Sequence, residues 1–230
     1  MMNSIKMIVS LLISFSLIFS VQGQDVEERN LESFHEIRTG QAIDVYLKKG
    51  STESVKIEAK GIDLNDVVTF VSGGRLKIEL NDGHFRNHSV KVYVTYVNLD
   101  GISASSASSV YGEDQIEGES MDIGVSSAAD VEVSVAVNQL EVSVSSSGDL
   151  DLKGSANYAE IKASSAGGID AYDLKAKHVR ARVSSAGSAK IHALQEIDAD
   201  ASSGGSIRYR GNPQKSQTNT SSGGSVRKSD

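Results

Sequence analysis

The residues able to do chemistry in this chain fall into columns. Seven regularly spaced Ser-Ser pairs begin at Ser105, Ser126, Ser145, Ser164, Ser184, Ser202 and Ser221. Six places after the first serine of the last six pairs stand Glu132, Asp151, Asp170, Lys190, Arg208 and Arg227. Four places before it stand Asp122, Glu141, Glu160, Arg180, Asp198 and Gln217. The first series runs from acidic to basic. Carboxylates beside a base, such as Asp149, Asp151 and Asp170 with Lys190, can hold Ca²⁺ and an acidic sugar, or work as an acid and base on a glycosidic bond. Asp149, Asp151, Asp170, Lys190 and Arg208 are also the candidate contacts of a binding face for a glycan or a surface protein. The blander reading is a solvated wall with cross-neighbour ion pairs, each worth about 0–1 kcal/mol.

Other groups point to less. His84 and His88 are spaced i, i+4, which on a helix could ligate zinc, but they follow the turn signal Asn81-Asp82-Gly83 and show no third ligand. His178 and His192 are expected on turns or outward positions, in solvent. No Gly-x-Ser-x-Gly elbow opens a helix, so the serines are read as structural. Asn87-His-Ser and Asn219-Thr-Ser match the glycosylation sequon, a short pattern that recurs by chance. No catalytic residue, metal or cofactor is assigned.

What must position the columns is a repeat. The Ser-Ser pairs are separated by 21, 19, 19, 20, 18 and 19 residues. Around them the chain alternates: Leu140, Val142, Val144, Leu150 and Leu152 take one parity, and Glu141, Ser143, Asp149 and Asp151 the other. Period two with one apolar parity is a strand with one buried face. A disordered Ser/Gly linker has no reason to keep Val, Ile and Leu in phase over more than a hundred residues. One coil of 18–21 residues buries too little to fold alone, so the coils must stack, at ~4.8 Å each, in register. The expected fold is all-β, a right-handed parallel β-helix. If the whole chain beyond the leader coiled this way, about ten coils would make a rod of roughly 50 Å. The second serine of each pair shares the apolar parity, and it is expected inside, where its hydroxyl would form a ladder from coil to coil.

The ends differ. Residues 24–100 lack the Ser-Ser mark, yet Ile43/Val45/Leu47, Val55/Ile57/Ala59, Leu76/Ile78/Leu80 and Val90/Val92/Val94 still alternate. Larger side chains there imply a wider section, or a hairpin layer leading into the regular coils of 101–230. At the far end Ser216, Thr218, Thr220 and Lys228 replace aliphatics, as a polar cap would.

Composition narrows the function classes. The 230 residues carry 30 acidic and 23 basic side chains, no Cys and no Trp. Thiol chemistry and Cys-ligated metal are excluded. A net charge of −7 without a basic run argues against nucleic acid. Aromatic residues are only 5%, leaving few stacking platforms for sugars. Lys6, an apolar run from Met7 to Val21, and small residues around Gly23 read as a secretory signal peptide over 1–23, with cleavage before Gln24. About fifteen apolar residues are short of the ~20 that span a bilayer, so no transmembrane segment is expected in the mature chain. The expected setting is periplasm, cell surface or medium.

The opening Phe34–Ile37 with Gly40 and Ile43-Asp44-Val45, followed by coils marked SSAG or SSGG, resembles the "putative auto-transporter adhesin, head GIN domain" family of Bacteroidetes-type bacteria. The resemblance covers about residues 30–228. It implies a right-handed β-helix, a surface or periplasmic setting, and an adhesin-like role with no established enzymatic activity. The alternatives kept open are a polysaccharide lyase or hydrolase on the same scaffold, and a structural element of the envelope.

Overall fold

The computed structural model describes residues 25–83 and 85–229. The expected signal peptide and its cleavage point lie outside the described residues, as does His84 of the spaced histidine pair. Sixteen strands account for nearly all regular structure. The first eight are β1 (Asp25–Asn30), β2 (Glu36–Thr39), β3 (Asp44–Lys49), β4 (Ser54–Lys60), β5 (Val67–Ser72), β6 (Arg75–Leu80), β7 (Ser89–Tyr96) and β8 (Gly101–Ala104). Then come β9 (Ser109–Val125), β10 (Asp130–Val144), β11 (Asp149–Ala163), β12 (Gly168–Val183) and β13 (Ser188–Ala201). The last three are β14 (Ser206–Arg210), β15 (Lys215–Thr220) and β16 (Ser225–Lys228). One 3₁₀ turn, Leu64–Asp66, is the single helical element among the described residues.

The chain is a parallel β-solenoid of about seven turns. From β9 onward each strand pairs in parallel with the strand one coil away: Asp130 lies beside Asp149, Asp149 beside Gly168, and Gly168 beside Ser188. The apolar parity forms interior ladders, one of which runs Val110, Val131, Leu150, Ile169, Ala189 and Ile207. Every one of these is buried.

Seven turns fall short of the roughly ten expected, because the first coil is long. Asp44 pairs directly with Ser109, so 65 residues separate neighbours that elsewhere lie 18–21 apart. The intervening chain builds the hairpin layer. β4 pairs antiparallel with both β1 and β7, and β5 with β6. The four alternating segments of this region all turn their aliphatics inward, from Ile43 to Val94. At the other end β15 is exposed throughout, and its Ser216, Thr218 and Thr220 stand where the preceding coils bury aliphatics. That polar coil ends the core.

The serine ladder is not formed, which corrects the sequence reading. Ser146, Ser165, Ser185 and Ser203 are exposed and adopt left-handed backbone, with φ between 49° and 51°. The next residue is left-handed too, Ser147 at 58° and Ala166 at 60°. An i to i+3 bond closes each corner, as from Gly148 N to Ser145 O at 2.9 Å. Two successive left-handed residues so closed are the pattern of a type I′ turn. Such a corner swings the second serine outward without disturbing the parity that follows, so Gly148 and Leu150 are again inside. The ladder that does run through the corners is backbone: Ser147 N donates to Ser165 O, and Ala166 N to Ser185 O, both at 3.1 Å. These bonds offset the ~1–2 kcal/mol that a left-handed residue with a Cβ costs.

Candidate binding face

The five residues singled out from the sequence come together. Asp149, Asp151, Asp170, Lys190 and Arg208 line one shallow groove of about 470 Å³ on the outward side of β10 to β14. Parallel register puts Glu132 beside Asp151, Asp151 beside Asp170, Asp170 beside Lys190, Lys190 beside Arg208, and Arg208 beside Arg227. The acid-to-base gradient of the sequence is therefore a physical row. Because side chains alternate across a strand, each member must point away from the core that Leu150 and Ile169 occupy.

The row is partly neutralised from within. Lys190 Nζ lies 2.7 Å from Asp170 Oδ2. Lys153 Nζ lies 2.9 Å from Glu132 Oε1 and 3.7 Å from Asp151 Oδ1. Burial pushes the Asp170 carboxyl up, but the Lys190 ammonium, the Tyr172 backbone N–H and the Arg210 charge outweigh it and hold the group below the ordinary carboxylate value. Asp130 moves the other way, raised first by burial and then by Asp149, Glu132 and Asp151. Tyr172 sits beside the basic half, with Lys190 Nζ 5.8 Å and the Arg210 guanidinium 4.0 Å from its ring centre.

Sequence reasoning missed the aromatic head of this row. Tyr93, Tyr46 and Tyr111 occupy the same register above Glu132. Their rings stack, Tyr46 on Tyr93 at 5.1 Å and on Tyr111 at 5.3 Å between centres. The column offset could have found Tyr111, six places after Ser105. Tyr46 and Tyr93 belong to the long first coil, which carries no Ser-Ser mark to count from. The rings are half-buried and turn their faces to one another.

The outward face on the other side of the serine corners is occupied by ion pairs. Arg182 holds Asp198 at 2.9 Å and Asp200 at 2.8 Å, and Lys162 reaches Glu141 at 3.1 Å and Glu160 at 3.0 Å. Arg180 also reaches Asp198, at 3.5 Å, a pair between neighbouring coils. The two later histidines are engaged rather than simply solvated, another correction. His178 stacks on Tyr158 at 4.8 Å and meets Glu196 at 3.3 Å, while His192 Nδ1 lies 3.2 Å from the Tyr172 carbonyl.

The sequence profile of the family described as "putative auto-transporter adhesin, head GIN domain" matches residues 33–213. The chain belongs to this family. No curated relative matches the sequence. Among solved structures, one described as a putative adhesin from Bacteroides fragilis NCTC 9343 superposes with a TM-score of 0.82 at 22% identity, covering 90% of this chain and 98% of that one. A putative adhesin from Parabacteroides merdae ATCC 43184 gives 0.76 at 18% identity, covering 90% and 96%. A structure described as a putative lipid binding protein from Parabacteroides distasonis ATCC 8503 gives 0.67 at 21%, covering 90% and 97%. At these identities the likeness carries the fold. Among the described residues no helix is long and apolar enough to cross a membrane.

Proposed function

We propose that this family member is an exported, non-enzymatic binding protein of the adhesin type, and that the face carrying Asp149, Asp151, Asp170, Lys190 and Arg208 engages a surface protein. The carrying observation is the row itself: an acidic upper half and a basic lower half in one groove, repeated at the coil spacing. A partner with the opposite gradient meets it along several coils, and such charge complementarity gives specificity and a fast encounter. A protein suits it better than a neutral glycan, because the three tyrosines that head the row cover one another's faces and leave mostly edges outward. The export part of the proposal rests on Lys6, the apolar run Met7–Val21 and the small residues near Gly23.

The same pairing speaks against the carbohydrate-active alternative. A general acid needs a raised pKa near its target, and Asp170, paired with Lys190, is held ionised. Asp130, the carboxyl of this face that is raised, lies two coils from Asp170, about 10 Å along the stack.

The test is capture of surface proteins by wild type and by Asp151→Lys and Arg208→Glu variants, with a glycan array and a polysaccharide panel, with and without Ca²⁺, run in parallel. Salt-sensitive protein binding that both variants lose supports the proposal. Array binding alone moves the reading to a glycan lectin. Turnover on the panel revives the enzyme. A deletion phenotype in envelope integrity with no binding in any format points to a structural element.

A further inference from the structure

A second constellation lies away from the charged row, where the first coil closes. His35, at the entry to β2, and Asp100, at the entry to β8, are 65 residues apart, yet His35 Nδ1 and Asp100 Oδ1 are 2.8 Å apart. Glu36 stands beside them. One donor atom from each of the three lies within 4.8 Å of the others. Glu36 and Asp100 border a small concavity of about 250 Å³ that also meets Arg38, Arg75 and Asp122.

The backbone holds this set in place. Asp100 N donates to His35 O at 2.9 Å, and His35 N and Glu36 N both donate to Gly74 O, at 2.9 and 3.2 Å. Two glycines make the room. A Cβ at Gly74 would come within 2.5 Å of His35 Nε2, and one at Gly101 within 2.9 Å of Glu36 Cγ. Side chains there would push two of the three donors out of the cluster. Gly101 is the register neighbour of both Glu36 and Asp122, so the gap it leaves in the outward column is flanked by carboxylates. Against these stands Arg75, which grips Glu36 Oε2 and repels a cation.

We propose that His35, Glu36 and Asp100 form a binding site for one divalent first-row transition ion. An imidazole nitrogen with two carboxylates is a donor set for Zn²⁺ and its neighbours, and imidazole is not a ligand that Ca²⁺ or Mg²⁺ favours. Donors about 2.0–2.2 Å from a tetrahedral ion lie roughly 3.3–3.6 Å from one another, so side-chain rotations on the order of 1 Å close the set around an ion. The ion replaces the His35–Asp100 hydrogen bond and draws Glu36 from Arg75. Three half-exposed ligands leave coordination positions to water or to a donor from a bound partner. The site is independent of the charged row and of what that row binds.

The experiment is calorimetric titration of the untagged, metal-stripped protein with Zn²⁺, alongside His35→Ala, Asp100→Asn and, four coils further along the same outward face, His178→Ala. One saturable site is expected, with a tenfold or larger loss of affinity in each of the first two variants and wild-type affinity in the third. Zn²⁺ should raise the melting temperature of wild type and of His178→Ala, and not of His35→Ala. Circular dichroism checks that the variants keep their strands. Absence of saturable Zn²⁺ binding overturns the proposal, as does binding that His35→Ala leaves intact or that His178→Ala abolishes.

Discussion

Replacing Leu150 by aspartate tests the inward and outward assignment on which every coil depends. Leu150 is 2% exposed, with Val131 beneath and Ile169 above it in the interior ladder. Truncation to alanine alone costs about 2–5 kcal/mol, from lost burial and the cavity left behind. An aspartate adds an unpaired charge in an aliphatic column, a penalty of several kcal/mol. Domain stabilities are about 5–15 kcal/mol in total, so Leu150→Asp should remove a large part of it. The next residue is the control. Asp151 has a side chain 51% exposed, with Lys153 3.7 Å away, and Asp151→Ala should cost no more than about 1 kcal/mol. At about 2–4 °C per kcal/mol for a chain of this size, Leu150→Ala lowers Tm by on the order of 10 °C, and Asp151→Ala by less than about 4 °C. Coils meet only their neighbours, so hydrogen exchange should quicken first from β10 to β12 in Leu150→Asp. The measurements are thermal unfolding by circular dichroism and exchange mass spectrometry. A loss from Asp151→Ala equal to that from Leu150→Ala would refute the parity reasoning.

Two further tests address the corners and the charges. Three places after each Ser-Ser start, Ser108 and Ala129 are followed by Gly148, Gly167, Gly187, Gly205 and Gly224; a Cβ at Gly148 would sit 3.1 Å from Val125, at Gly205 2.5 Å from the Val183 oxygen. Gly205→Ala should therefore cost about 1–3 kcal/mol by overpacking and Gly148→Ala distinctly less, read from denaturant midpoints; equal costs would contradict the tighter approach at Gly205. For pH, the raised Asp130 carboxyl binds its proton more tightly folded than unfolded, so its ionisation destabilises once pH exceeds the ordinary value near 4. Asp130→Asn should raise Tm at pH 7, with the gain fading towards pH 3. Asp198 is held low chiefly by its hydrogen bond to Arg182, so its contribution is present above pH ~4 and is lost as pH falls through its depressed folded value. Asp198→Asn should lower Tm at pH 7, and the difference should close in acid; the same sign for both variants would undo the assignment.

The regular half of the molecule was legible because a stacked strand repeats its constraints. Each coil must bury the same parity and bond the same neighbours, so Val142, Ile161, Ala181 and Ala199 recur at the coil length, and the outward row from Glu132 to Arg227 could be read by counting. The sign of φ at a corner leaves no such trace. Ser146 and Ser185 have the parity of core residues, and only the paired left-handed turns send them outward. The number of turns was likewise hidden, since nothing in the spacing of Asp44 and Ser109 marks them as neighbours across a 65-residue coil.

What the sequence determined by itself was local and periodic: strands, one buried face, a polar last coil and a graded charged row. Tertiary structure alone decided what meets across the long first coil. The tyrosine stack joins residues 46, 93 and 111, and the His35–Glu36–Asp100 cluster joins two strand entries far apart in the chain. The physical reason is that hydrophobic alternation specifies which way a side chain points, while which segments lie side by side depends on how a variable insertion closes.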